Sequence, residues 1–171
     1  MSRLSSMSAG ALKAIFAPET DDDLIMLVTF SGINNGQDVR IADGFTGRLS
    51  ETADDVVYGV TSNSLDYIFL PINVTLPSEE EASAPKCSIT IHDVTRYLTP
   101  IIRNISTPPS VTLQLVLRST PNVVEASFTG FYLTAVTYNA ETVQLDLSMI
   151  SYQNEPFPCF RFVPRYFPGL F

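Results

Sequence analysis

Apolar and polar residues alternate in short runs along most of this chain, and the period is that of strands. Lys86–His92 sets Cys87, Ile89 and Ile91 against Ser88, Thr90 and His92, the two-residue period of a half-buried strand. Val111–Leu117 repeats the pattern, with Val111, Leu113, Leu115 and Leu117 on one face. Leu24–Phe30 is a continuous apolar strand ended by Ser31-Gly32 and the turn Asn34-Asn35-Gly36, and Val39–Ile41 pairs back on it. Val56–Val60, Tyr67–Val74, Val123–Phe128, Tyr132–Tyr138 and Thr142–Ser148 are further strands, the last two a hairpin through Asn139-Ala140-Glu141. Residues 43–55, with Gly44, Gly47 and Asp54-Asp55, read as loop. So does the stretch from Ser78 to Pro85 around Glu79-Glu80-Glu81.

Two segments carry helical spacing instead. Leu4, Met7, Ala11, Leu12, Ile15 and Phe16 predict an amphipathic helix over 4–16, stopped by Pro18 and weakened by Gly10, so its stability must come from docking. A second short helix is expected over 96–105, with Tyr97, Leu98, Ile101 and Ile102 apolar, Thr95 or Asp93 as its cap and Pro100 in its first turn. The chain closes on a run rich in proline and aromatics, 155–171, whose prolines forbid a helix and make a poor central strand. Fully burying each of its large apolar side chains is worth roughly 1.5–3 kcal/mol, so the run is expected to lie as an extended strap on a preformed surface. That surface is either its own core or a neighbouring subunit. Many short strands with two minor helices predict a mainly-β single domain over 1–171, a barrel or sandwich with an N-terminal helix, one further helix and a C-terminal strap.

Composition changes this picture in one respect. Only 16% of the 171 residues are charged, against roughly 25% in typical soluble domains. Neutral or apolar groups must therefore cover part of the surface, as in a subunit that hides area in an assembly. The charge is also uneven: residues 1–81 hold 13 acids and four bases, a net of −9, while 82–171 hold six bases and five acids, a net of +1. Gripping duplex DNA exchanges counterions for Lys and Arg, so no specific nucleic-acid binding is expected. An acidic surface suits a conduit through which DNA slides, and it equally serves solubility. The N-terminus lacks the apolar core of a signal peptide, and no apolar run approaches the roughly 18 residues of a membrane span. Stable membrane insertion is not expected, and the chain is expected to be made in a cytoplasm. Cys87 and Cys159 can form a structural disulfide or remain two reduced thiols that pack as small hydrophobes.

Catalytic and metal patterns are missing from the sequence. His92 is the one histidine, on the polar side of an alternating strand, and a surface role fits it. No serine has the Gly-x-Ser-x-Gly setting, and three widely spaced soft ligands do not make a zinc site. Asp21–Asp23 and Glu79–Glu81 lack the alternation and glycine of a calcium loop. No glycine-rich phosphate loop follows a strand. Neither enzyme activity nor any cofactor or metal is expected.

The closing run also carries a resemblance. Asn154-Glu155-Pro156-Phe157-Pro158, Arg161-Phe162 and Arg165-Tyr166-Phe167-Pro168-Gly169-Leu170-Phe171 resemble the ending of a family of short phage tail proteins, a domain of unknown function encoded among tail-tip genes. The likeness extends upstream to Ala17-Pro18-Glu19-Thr20, Tyr67, Leu70-Pro71-Ile72, the acidic loop before Pro85, Ile89-Thr90-Ile91-His92-Asp93-Val94 and Pro108-Pro109-Ser110-Val111-Thr112-Leu113. More distantly, the order of apolar strand, Tyr-x-Phe, Pro, Ile-x-Ile and a Phe-Pro-x-Arg ending is similar to the N-terminal domain of the lambda-type minor tail protein L. The cysteine-rich, cluster-binding region of that family has no counterpart in this chain, so no metal cluster carries over.

The resemblance implies a structural protein of the virion tail, a baseplate hub or distal-tail adaptor. It would form a ring of three copies, with six as the alternative, between the tail tube with its tape-measure protein and the central hub or fibre, around the DNA channel. The expected intersubunit contacts are Leu12 and Phe16 on the first helix and Phe157, Phe160, Arg161, Phe162, Arg165, Tyr166, Phe167 and Phe171 on the strap. Competing readings are a receptor- or carbohydrate-binding module, which requires an exposed aromatic platform in a chain without tryptophan, a tail assembly factor, and a cell-wall hydrolase.

Overall fold

A computed structural model describes residues 7–34, 36–52, 55–76, 85–92, 97–105, 107–139 and 141–150, with Arg165 and Gly169. The first half runs α1 (Ala9–Phe16), β1 (Leu24–Asn34), β2 (Gln37–Ala42), β3 (Gly47–Glu51), β4 (Val56–Ser62), β5 (Leu65–Phe69) and β6 (Ile72–Thr75). The second runs β7 (Lys86–His92), α2 (Leu98–Arg103), β8 (Ser110–Leu117), β9 (Val124–Tyr138) and β10 (Thr142–Met149). The strands form one mixed, open sheet in the order β3-β4-β5-β2-β1-β8-β9-β10-β7-β6. Its one parallel pair is β2–β5, through Ile41↔Ile68 and Ala42↔Phe69. The mainly-β class is as the sequence predicts, with a short helix at the N-terminal end and one more before β8.

The connection between β5 and β6 shapes this sheet. These strands occupy the third and tenth places in the order, yet Leu70-Pro71 is all that joins them, a link reaching roughly 10 Å at most. The Leu70 N–H donates to the Ala42 carbonyl on β2 at 3.0 Å, and the Pro71 carbonyl accepts from the His92 N–H on β7 at 2.9 Å. Adjacent residues thus tie β2 to β7, and the strands between must curl into an incompletely closed barrel. Helix α2 lies within the curl: Leu98 and Ile101 share a small apolar cavity with Phe30 and Val39 from one flank and Leu133 and Leu145 from the other.

The alternation of side chains assigns each face its core. Met26, Val28 and Phe30 join Ile41, Ile89, Ile91, Leu113, Phe131, Val143 and Leu145 in the inner cluster. Ile25 and Leu27, the intervening residues of β1, pack on the other face with Ala42, Val60, Tyr67 and Val116. A strand buried on both faces reads as a continuous apolar run, which is why Leu24–Phe30 does not alternate. The second cluster is closed where the β4–β5 turn meets the β8–β9 turn: the Ser62 hydroxyl donates to the Pro121 carbonyl at 2.6 Å, and the Asn63 N–H to Asn122 Oδ1 at 2.8 Å. Asn63 and Ser64 both have positive φ, 49° and 65°, as a tight two-residue hairpin turn requires.

Several boundaries depart from the sequence reading. Tyr67–Val74 is divided at Leu70-Pro71 into β5 and β6. The strands expected over Val123–Phe128 and Tyr132–Tyr138 fall, apart from Val123, in one 15-residue strand, β9, in which Gly130 at φ +82° sits at a shift in register and is a bulge, not a break. The supposed loop 43–55 contains β3, whose GRLSE sequence is exposed at every position but Leu49 and so lacks an apolar signature. Helix α1 begins at Ala9, where Ser8 caps it, within the segment expected over 4–16, of which residues 4–6 lie outside the described residues. The caps expected at Asp93 or Thr95, the acidic loop through Glu79–Glu81 and the strap, apart from Arg165 and Gly169, lie outside the described residues.

Gly59 shows how tightly the β3–β4–β5 wing is packed. A Cβ there would overlap the Tyr67 carbonyl oxygen and lie 2.5 Å from Leu49 Cδ1. Gly59→Ala should therefore destabilise the protein by on the order of 2–4 kcal/mol in urea unfolding. Gly47→Ala, at a position where a Cβ meets nothing within 4 Å, should change it by less than about 1 kcal/mol.

Candidate functional site

Among the described residues no group of three or more His, Cys, Asp or Glu side chains converges as a metal site, and no helix is long and apolar enough to cross a membrane. His92 is exposed at the end of β7, opposite Thr142 of β10. Cys87 carries a free thiol in the inner core, and burial pushes that thiol up to about 11, so it is protonated at neutral pH and a poor nucleophile. Cys159 lies outside the described residues. The described residues offer three surface features.

The first is helix α1. Ser8 begins it twice over: its hydroxyl accepts from the Ala11 N–H at 3.1 Å and donates to Glu125 Oε1 at 2.7 Å. The Ser8 N–H donates to Glu125 Oε2, also at 2.7 Å. Glu125 comes from β9 and is 4% exposed. A buried carboxylate that receives two donors at a helix N-terminus is well compensated, and it fixes where the helix starts. Ala11 is the buried residue of α1, and Leu12 is half-buried. Farther along, Ile15 is 41% and Phe16 71% exposed. The helix is thus fastened at one end and shows apolar side chains at the other.

The second place is an aromatic corner on the wing. Phe45, in the β2–β3 connection, has its ring centroid 5.4 Å from that of Tyr58 on β4 and 5.3 Å from that of Phe69 on β5. On the neighbouring edge strand β3, Arg48 and Glu51 form an exposed ion pair at 2.9 Å.

The third is a pair of clefts meeting at Thr134-Ala135 of β9. One, of about 460 Å³, is lined by Ile102, Pro108, Pro109 and Val136, with the Arg103 guanidinium 5.1 Å over the Tyr138 ring. The other, of about 550 Å³, is lined by Thr75, Lys86, Ser88, Asp146 and Ser148. His92 lines neither cleft.

Of the residues expected from the sequence to make contacts, Phe16 is displayed and Leu12 is partly covered. Arg165 is exposed. Phe157, Phe160, Arg161, Phe162, Tyr166, Phe167 and Phe171 lie outside the described residues. The sequence reading missed Ile15 as a contact, the Ser8–Glu125 anchor and the aromatic corner. Glu125 had one signal, a lone acid inside the apolar run Val123-Val124-Glu125-Ala126. The corner had none, because its rings come from three separate elements. The chain matches no known family model and no curated protein.

The Ser8 anchor can be tested locally. Ser8→Ala removes the cap and one donor to a buried carboxylate, a loss of about 1–2 kcal/mol. Amide hydrogen exchange in α1 should accelerate roughly tenfold or more while β7 and β8 stay protected. Unchanged exchange in α1 would mean that the Ser8 hydroxyl does not hold the helix.

Proposed function

We propose that this protein is a structural subunit of the tail tip of a long-tailed phage. It would assemble with copies of itself into a ring, as a baseplate hub or distal-tail adaptor between the tail tube and the central hub or fibre. The observation that carries the reading is the display of Ile15 and Phe16. An aromatic side chain 71% exposed, on a helix fixed at its other end by a buried carboxylate, is a preorganised contact that loses little entropy on docking. The sparse surface charge supports the same reading, as does the outer edge strand β3, which ends the strand order and offers backbone groups for pairing. A ring needs a heterologous contact, in which one patch meets a different patch on the next copy. The anchored helix and the outward wing are two such patches on one chain. In the ring, acidic surface would face the DNA channel and repel phosphate.

In phage particles purified by density gradient, the chain should be present at a fixed multiple of three copies per tail. Phe16→Asp should abolish its incorporation and infectivity while leaving the unfolding free energy of the isolated protein in urea unchanged within about 0.5 kcal/mol. Particles that lack the wild-type chain, or that incorporate the Phe16→Asp variant normally, would overturn the proposal.

A further inference from the structure

The aromatic corner has a feature that packing alone does not explain: its outermost ring is held in place while half in water. Phe45 is 45% and Tyr58 41% exposed, yet the short connection that carries Phe45 is pinned on both sides. Before it, the Asp43 N–H donates to the Met26 carbonyl at 3.1 Å, and Asp43 Oδ1 accepts from the Met26 N–H at 2.8 Å. Gly44 lies so close to Ile25 that a Cβ there would come within 3.1 Å of Ile25 Cγ1. After it, the Thr46 N–H donates to the Gly59 carbonyl at 2.9 Å. The rings meet at 57° and 65°, so they form a corner with a floor and a wall.

The rim of this corner is polar. Arg48 lies opposite Tyr58 in the β3–β4 register, and its ion pair with Glu51 leaves both side chains well exposed, 58% and 62%. Space is open beside Gly47, where a Cβ would meet nothing within 4 Å. A small apolar floor inside a fork of five N–H donors and a carboxylate is amphipathic on the scale of a single ring. The core of a protein interface is larger and depleted in Glu. A pyranose has the complementary pattern. One face of polarised C–H bonds suits the negative face of an aromatic ring, and an equatorial rim of hydroxyls can accept from Arg48 and donate to Glu51 without breaking the ion pair. The rim selects among sugars: its charged side chains, Arg48 and Glu51, cancel in an ion pair, so the corner offers no excess positive charge to uronic acids, sialic acids or phosphorylated glycans.

We infer that the Phe45–Tyr58–Phe69 corner, rimmed by Arg48 and Glu51, is a binding site for a neutral pyranose oligosaccharide. This inference does not rest on the ring reading: the site is built from side chains of the wing, whereas the wing's part in the ring would be the backbone edge of β3 and the other contact is on α1.

Saturation-transfer NMR on the full chain, with maltohexaose, cellohexaose and chitohexaose as separate probes at about 5 mM, tests it in the weak range expected of an open site. Transfer to the sugar ring protons of at least one probe is expected, with shifts in the Phe45 and Tyr58 ring resonances. Phe45→Ala and Tyr58→Ala should each weaken binding by about tenfold or more, and Phe16→Ser on α1 should leave it unchanged. Should an alanine variant fail to fold, Arg48→Ala and the ring shifts of the wild-type protein carry the test. No transfer from any of the three probes would overturn the inference. So would transfer without Phe45 or Tyr58 ring shifts, or binding unaltered in the folded variants.

Discussion

Everything in this fold hangs on the pair Leu70-Pro71. One of these residues bonds to β2 and the next to β7, so a sheet that is open by its strand order is drawn round until its far strand lies beside its middle. Without that constraint the ten strands could run as a flat ribbon with both faces wet. With it, one face closes on Leu113, Leu145, Ile89 and their neighbours beneath α2. Proline suits the position. It gives up a backbone N–H that would otherwise need a partner at a place where the chain leaves one strand pairing for another, and its carbonyl remains to bond β7. The β3–β4–β5 wing is the consequence on the other side: it stays outside the curl and must bury its own apolar face against Ile25, Leu27 and Val116.

This division explains which parts of the structure were legible in the sequence. Strand β7 matches its alternating run at both ends because it has one face in the core and one outside it; β8 matches nearly so, although its Val116 is buried in the second cluster. The helix over 98–103 lies inside the segment expected for it. Failures occurred where tertiary context overrode the local pattern. Pro71 was visible, but nothing nearby said that the chain would cross to the other flank of the sheet there. The two strands expected over Val123–Phe128 and Tyr132–Tyr138 are one because Gly130 between them makes a bulge, and a bulge and a turn use the same residue. β3 is a strand because β4 pairs with it, while its own residues face water.

The surface features were less legible than the fold, for a related reason. Phe16 could be found because helical spacing places it within one short segment. The Ser8–Glu125 anchor joins residues 117 positions apart, and the aromatic corner depends on β2 and β5 running parallel, the one such pair in the sheet. A parallel pairing of two distant strands leaves no local trace in the sequence. The absence of tryptophan made an aromatic platform look improbable from composition, yet two phenylalanines and a tyrosine form the corner.

The mass of the purified native protein over a range of concentration and salt, measured by sedimentation or light scattering, bears most directly on the proposed ring. A closed ring requires a discrete particle of three or six copies of the 18.8 kDa chain, persisting in salt because its contacts are apolar. A strict monomer at every concentration and salt level would contradict it.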